Sequence, residues 1–498
     1  MIAARTKTGL EILAAALILG VLGDLLLRAT PWGLNVTLCA AALVAAGVLL
    51  VRRHHLTPGP DAPWLALTVV LLGAAFARRD AAILAMFDVA ALLVALSLGA
   101  ASLQGQPVAA LRSLDLLRSG GATAAWTVIG AFALVGQDIH WNELPQDGRL
   151  RHVRAVALGA LLAAPLLAVF GSLFASADQV FGTVLANLLA FDAGAVASHT
   201  FFIGLWTALT AGYLRWGLLA RPAGTAPVPP TGATLGIVPI GTALGLINLL
   251  FLLFVVVQVR YFFGGAALVE ETTGLTYAEY ARRGFFELVT ASGLVLPVLL
   301  GADHLVRGEP AAHLAVFRRL AGLLLILLAV VMASALERMR LYVAAFGLSE
   351  IRLYATALMI YLLGVLAWFG WTVLRGRRRR FAFGALIQGF VVLAGLHVVN
   401  PDQFIVRTNL ARGPAVHPFD ATYALSLGAD AVPALLDALP HLDERSRCAV
   451  ASGLLSRWTS DEGADWRTWN WSRGRARRLV RKRADALHAM TCRHAGSP

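Results

Sequence analysis

The sequence predicts an all-α, polytopic helical membrane protein with a small helical extramembrane region at its C-terminal end. Three observations carry this. Apolar residues make up 58% of the 498-residue chain and charged residues 14%, whereas a soluble domain carries about a quarter charged residues. Mean hydropathy is +0.71. Apolar runs also recur, as far as Val399, at the roughly 20-residue length that one helix needs to cross a bilayer. A water-soluble globular protein is thereby excluded.

The candidate spans run from Gly9 to Leu27, Gly33 to Val51, Pro63 to Ala77, Ala81 to Ala101, Ala122 to Ile139 and Val153 to Phe174. They continue with Ser198 to Leu219, Leu235 to Val259, Gly284 to Gly301, Leu314 to Leu336, Ile351 to Leu374 and Phe381 to Val399. The run from Pro63 to Ala77 is short and meets its neighbour through Ala77-Arg78-Arg79-Asp80. It reads as half of a tight helical hairpin that need not cross, so the count is eleven or twelve. From Ser102 to Gly121, Arg112, Asp115 and Arg118 stand among leucines and alanines, as in a helix lying in the interface. The stretch Arg221 to Thr231 (RPAGTAPVPPT) reads as an extended linker. The chain divides into a transmembrane domain, 1–399, and a C-terminal helical region, 400–498, with a basic and aromatic tail.

Orientation follows from the arginines. The net charge is +13, and the only lysines are Lys7 and Lys482. Arg375, Arg377, Arg378, Arg379 and Arg380 crowd one very short loop, which the positive-inside rule assigns to the cytoplasm. Counting from it, the Arg307 to Arg319 loop and the Arg149 to Arg154 segment fall inside. The Ala175 to Ala197 loop, with Asp178 and Asp192, falls outside, and so does the C-terminal region. The expected location is the cell membrane, multi-pass, with the C-terminal region extracytoplasmic. The first half conflicts with a count of twelve, because Arg5, Lys7, Arg52, Arg53, Arg112 and Arg118 all call for the cytoplasm and that count puts them outside. A count of eleven, with the third run not crossing, removes the conflict.

Three polar segments in the second half share the outer side on this topology. In the first, Thr276 to Leu288, Glu279, Arg283 and Glu287 recur every four residues and share a helix face, with Tyr280 and Arg282 beside them. Thr276 and Glu279 have capping-box spacing. Glu287 falls a turn or two inside the head-group boundary, where an ionisable residue is costly and normally partnered. The second segment carries Glu337, Arg338, Arg340 and Tyr342, then a turn at Gly347, then Glu350, Arg352 and Tyr354. Interfacial anchors explain the tyrosines and arginines, but not the carboxylates among them. The third follows the last span and holds Asn400, Asp402, Arg407, Asn409 and Arg412. These residues, apart from Thr276, Glu337 and Gly347, are the ligand-binding candidates, expected to converge on one outer-face site. Arginines outnumber carboxylates among them, so the expected ligand is an anion, a phosphate or carboxylate head group.

The same segments resemble a known family. TYAEYARRGFFEL, ERMRLYVAAFGLSEIRLYA and NPDQFIVRTNLAR, with the later Asp420-x-x-Tyr423 and LSLGADAVPALL, resemble the bacterial membrane proteins grouped as domain of unknown function 4173, from about Tyr261 to Trp471. The resemblance implies the span arrangement and the extramembrane C-terminal piece. It implies no activity and no catalytic residue.

Within the spans, Asp24, Asp88, His199, Asn248, Gln258, Gln388 and His397 are read first as inter-helix hydrogen-bonding residues. Gly241-x-x-x-Gly245 allows close helix packing. In the tail, Trp458, Trp466, Trp469 and Trp471 precede a run of arginines from Arg473 to Arg483. This pattern reads as contact with anionic lipid head groups rather than nucleic acid, with Leu479, Val480 and Leu487 sharing the apolar face. The three cysteines show no metal spacing; Cys448 and Cys492 could pair only in an oxidising compartment. No metal or cofactor is expected. P-loop, HExxH, GxSxG and dinucleotide fingerprints are absent from the sequence, and no reaction is named by it. Two functions stay open. One is a transporter or lipid-handling protein with an outer-face Arg/Glu/Tyr cleft, binding lipids or an anionic small molecule. The other is a non-catalytic envelope sensor or scaffold whose C-terminal region meets a partner.

Overall fold

The structure, a computed structural model, describes residues 3–143, 170, 178, 193–220, 236–273, 285–306, 309–412, 419–459 and 465–491. The expected span from Val153 to Phe174, the Arg149 to Arg154 segment, the linker Arg221 to Thr231 and most of the Ala175 to Ala197 loop lie outside the described residues. All regular elements among the described residues are helical, and nine helices are long and apolar enough to cross a membrane. The first group comprises α1 (Ala4–Leu27), α2 (Leu34–Arg53), α3 (Ala62–Arg78), α4 (Ala82–Leu103), α5 (Ser113–Ala133) and α6 (Ala193–Leu218). The second comprises α7 (Ile237–Thr273), α8 (Phe285–Leu305), α9 (Ala311–Phe346), α10 (Glu350–Thr372) and α11 (Phe381–Val399). Six shorter helices follow: α12 (Pro401–Ala411), α13 (Ala421–Ser426), α14 (Val432–Ala438), α15 (Glu444–Trp458), α16 (Trp471–Lys482) and α17 (Ala484–Met490). They close on a core of their own that includes Leu435, Val450, Leu454, Ala476 and Val480.

The two ends of the bundle differ in what covers them. At one end the C-terminal domain sits on the helix termini: Leu34 N–H donates to Trp469 O at 2.8 Å, and Asn470 Nδ2 donates to Phe76 O at 2.8 Å. This is the domain face. The opposite end, the arginine face, carries Arg5, Lys7, Arg52, Arg53 and the turn from Arg375 to Arg380.

The helix α3 runs from face to face. It begins beside the start of α11, where Trp64 packs edge-on against Phe383 at 6.1 Å, and ends under the C-terminal domain. Its 17 residues cover roughly 26 Å at 1.5 Å per residue, a little under a hydrocarbon core of about 30 Å. The run therefore extends through the depth of the bundle, although it is shorter than the nine described helices long enough to cross. The returning helix is α5. Its N-cap, Arg112, lies beside Arg378 to Arg380. Just beyond its other end, Asp138 pairs with Arg5 at 2.6 Å and with Arg215 at the end of α6. Both ends of α5 thus lie on the arginine face. Arg5, Lys7, Arg52, Arg53 and Arg112 then share one side, and the conflict between charge and count disappears at α5 rather than at α3.

The polar residues within the helices tie neighbours together. Asp24 bridges Arg28 at 2.6 Å and His199 at 2.5 Å, His397 Nε2 meets Asp88 Oδ1 at 2.8 Å, and Asn248 Nδ2 donates to Leu320 O at 3.1 Å. Gly241 and Gly245 mark no tight helix contact among the described residues, since a side-chain carbon at Gly245 would meet nothing within 4 Å, whereas Gly130 of α5 faces the backbone of Gly212 in α6.

Candidate functional site

The helix α9 has 36 residues, roughly 54 Å at 1.5 Å per residue, far more than a hydrocarbon core of about 30 Å. Its end from Glu337 to Phe346 therefore stands clear of the apolar layer on the domain face. That explains the mixed charges there. The chain reverses into α10 at Gly347, whose φ of +83° is open to glycine and costly for other residues. Asn409 of α12 clasps this turn: Leu348 N–H donates to Asn409 Oδ1 at 2.6 Å, and Asn409 Nδ2 donates to Leu348 O at 2.8 Å. Arg412 donates to Ala344 O. Arg352 donates to Phe346 O at 3.1 Å and to Gly347 O, with its guanidinium 4.0 Å above the Tyr342 ring. From the C-terminal domain, Tyr423 Oη accepts from Glu350 N–H at 2.8 Å.

The second and third polar segments thus meet, and between them and the C-terminal domain lies a cleft of about 810 Å³. Its bundle wall carries Arg352, Arg407, Asn409 and Arg412. The opposite wall carries Asp420, Tyr423, Asp437, His441 and Asp443, with Phe346, Leu348, Leu410, Phe419 and Leu442 supplying apolar surface. Arg407 is exposed; Asp420 and Asp443 are occupied as helix caps. The cleft can hold an anionic group on one side and apolar groups along its floor.

Other candidates fall elsewhere. Glu337 and Arg340 form an exposed pair at 2.6 Å, and Arg338 is partnered too. Glu287 is exposed and does not line the cleft, while Glu279, Tyr280, Arg282 and Arg283 lie outside the described residues. Tyr354 is 6% exposed and Asp402 0%, both beneath the cleft rather than in its wall. Asn400 is the left-handed link (φ +58°) between α11 and α12. Asp402 is placed at the domain junction rather than in the cleft wall: its Oδ2 accepts from Gly428 N–H at 2.9 Å.

That junction is an ion network that the sequence reading missed. Arg79, just past α3, pairs with Asp430 at 2.9 Å and donates to His397 O. Asp430 also accepts from Asp80 N–H at 2.8 Å and from Ser472 Oγ at 2.7 Å. Asp80 accepts from Ala429 N–H at 3.1 Å and pairs with Arg473 at 3.3 Å. Asn470 and Ser472 donate to the carbonyls of Phe76, Arg78 and Arg79, satisfying the exposed end of α3. A side-chain carbon at Gly428 would collide with Asp80 O, so the loop can close only around glycine. Arg79 pairs with Asp430 and Arg473 with Asp80, near which Arg457 also lies, while Asp402 forms no ion pair among the described residues. Burial, then the neighbouring Glu350 carboxylate, push the Asp402 carboxyl up to about 7 against the hydrogen bond from Gly428. Burial also raises Asp80, opposed by Arg473, and lowers Arg473. The only legible signals were the Arg-Arg-Asp turn and the LSLGAD motif, which read as a hairpin and a helix break.

The tail is part of this junction, and the apolar face expected to meet lipid is covered by the C-terminal core. Val480 and Leu487 are fully enclosed in the C-terminal core, with Leu479 packed against it. Trp458 is buried there as well, while Trp466, Trp469 and Trp471 remain exposed. An amphipathic stripe names the residues sharing a face, and here protein covers it.

The fold and this junction define a multi-span helical membrane protein whose C-terminal helices are seated on one end of its bundle. The family described as Domain of unknown function (DUF4153) matches residues 66–438, well over half of the chain, and the protein belongs to that family. The number 4173 carried by the resemblance is not the one that matches, and the match begins at 66, well before the motifs that carried it. No curated protein and no solved structure matches the chain.

Proposed function

We propose that the protein binds an amphiphile with an anionic head group in the domain-face cleft, as a transporter or as a protein that handles lipids or their head groups. One observation carries this: three arginines and a floor of apolar side chains line one cleft of about 810 Å³ at the ends of the membrane helices. Arginine matches phosphate and carboxylate geometry through paired N–H donors. The test is binding of a short-chain phosphatidylglycerol to the purified full chain in detergent. Saturable binding is expected, weakened about tenfold by Arg407→Glu and unchanged by Arg340→Glu outside the cleft. Absent saturation, or equal loss in both variants, would overturn the reading. A second reading, the envelope sensor or scaffold, draws on Arg352 and Arg412 already donating to backbone carbonyls. In it, the cleft variants leave lipid binding unmoved and lose a protein partner.

We read the domain face as extracytoplasmic and the membrane as the cell membrane. The concentration of arginine at the opposite end supports this, and so does Cys448, which is disulfide-bonded while Cys39 is free, since such bonds persist in oxidising compartments. Reporter fusions after Arg380 and after Asp420 should give opposite signals, and Cys448 should react with maleimide only after reduction. Identical fusion signals would reverse the assignment.

A further inference from the structure

The arginine face holds a recess of about 570 Å³ lined by Arg112, Gly376, Arg377, Arg378, Arg379 and Arg380. We infer that it is a second, separate anion site, taking the phosphate of an anionic phospholipid head group. The positive-inside rule accounts for arginines in a loop. It does not account for their concave arrangement around a guanidinium brought from a remote element. Arg112 arrives as the N-cap of α5, while the other four sit on the turn between α10 and α11. That turn is tightened by Gly376 at φ +79° and by Arg377 N–H donating to Thr372 O at 2.8 Å.

The charge balance is uneven. Asp303, buried in α8, pairs with Arg378 at 2.8 Å, and Asp115 faces the backbone N–H of Arg112. Arg112, Arg377, Arg379 and Arg380 are exposed. Four solvated guanidiniums around one hollow repel one another unless an anion sits among them, and phosphate supplies that charge with matching acceptor geometry. The level is that of head groups. Arg375 stacks on Trp371 at 3.9 Å and Trp368 Nε1 donates to Arg380 O at 3.3 Å, placing an aromatic belt at the rim. A lipid is favoured over free phosphate because Leu114 and Leu117, on the first turns of α5 beyond Arg112, are exposed and offer apolar surface to acyl chains. Basic pockets between membrane helices are a recurring form of anionic-lipid recognition.

The test uses the full chain in phosphatidylcholine nanodiscs titrated with dioctanoyl phosphatidylglycerol, with the amount retained after washing as the readout. Wild-type protein should retain it saturably. The double variant Arg112→Ala/Arg379→Ala should lose about tenfold in affinity, and Lys7→Ala/Arg52→Ala, removing equal charge from the same face outside the recess, should change it less than about twofold. Wild-type retention no better than for a zwitterionic lipid, or equal losses in both variants, would overturn the site. Displacement by inorganic phosphate at the same concentration would overturn the lipid as its ligand. The two recess comparisons are repeated in the Arg407→Glu background, where cleft binding is weakened and the lipid retained is that of the recess, so failure of the cleft and failure of the recess are read separately.

Discussion

Arg79→Ala is expected to unseat the C-terminal domain and to cost on the order of 3 to 5 kcal/mol, the penalty of removing one partner from a buried ion pair. The Arg79 and Asp430 side chains are 10% and 3% exposed, so loss of the guanidinium strands a carboxylate that water cannot reach. The same change removes the donor to His397 O, loosening the end of α11 as well. Asp430 would retain Asp80 N–H and Ser472 Oγ as donors, which limits the cost to the charge itself. Thermal unfolding and limited proteolysis of the purified protein measure this: the 419–491 region should become cleavable while the bundle stays intact. Arg340→Ala is the comparison. The Arg340 and Glu337 side chains are 72% and 34% exposed, and such surface pairs are worth about 0 to 1 kcal/mol. Equal effects from the two substitutions would show that the junction does not hold the domain.

The helical class, most spans and the turn at Gly347 were legible because hydropathy, span length and a glycine act over short stretches of chain. The arginine wall of the cleft was legible in part, since Arg352, Arg407, Asn409 and Arg412 lie on segments flanking one helix pair. The junction was not. Arg79 and Asp430 are 351 positions apart, and nothing local in an Arg-Arg-Asp turn says which distant loop will close on it. The course of α5 was hidden for a different reason. Length and hydropathy state that a helix tolerates lipid, not that its far end returns to the face it left, and the salt bridges of Asp138 to Arg5 and Arg215 settle that. The tail shows the same limit, because the apolar period that seats Val480 in the C-terminal core would serve equally on a lipid surface.

Asp402→Asn should stabilise the protein at about pH 8 and leave it nearly unchanged below about pH 4. In the folded chain the Asp402 carboxyl is pushed from its ordinary 3.8 up to about 7 by burial and by the Glu350, Asp430 and Asp80 carboxylates. Unfolded, it ionises in the ordinary range. Between those two values the folded state holds a proton that the unfolded state has lost. Stability therefore falls as pH rises from about 4 to about 7 and levels off above, the reverse of a salt-bridged aspartate. At about 1.4 kcal/mol per unit, the penalty at neutral pH and above has an upper limit on the order of 4 kcal/mol. Asparagine carries no such penalty. Its Oδ1 can keep the bond from Gly428 N–H, and its Nδ2 replaces an oxygen that has no hydrogen-bond partner, with the unpartnered Tyr354 hydroxyl among the buried acceptors. Asp80, also raised, should leave a smaller slope of the same sign in the variant. Unfolding midpoints of both proteins across this pH range decide it: converging curves at low pH and a gap opening toward high pH are expected. Parallel curves would mean that Asp402 is already ionised in the junction, held by a cation that the arrangement of Arg79 and Arg473 does not provide.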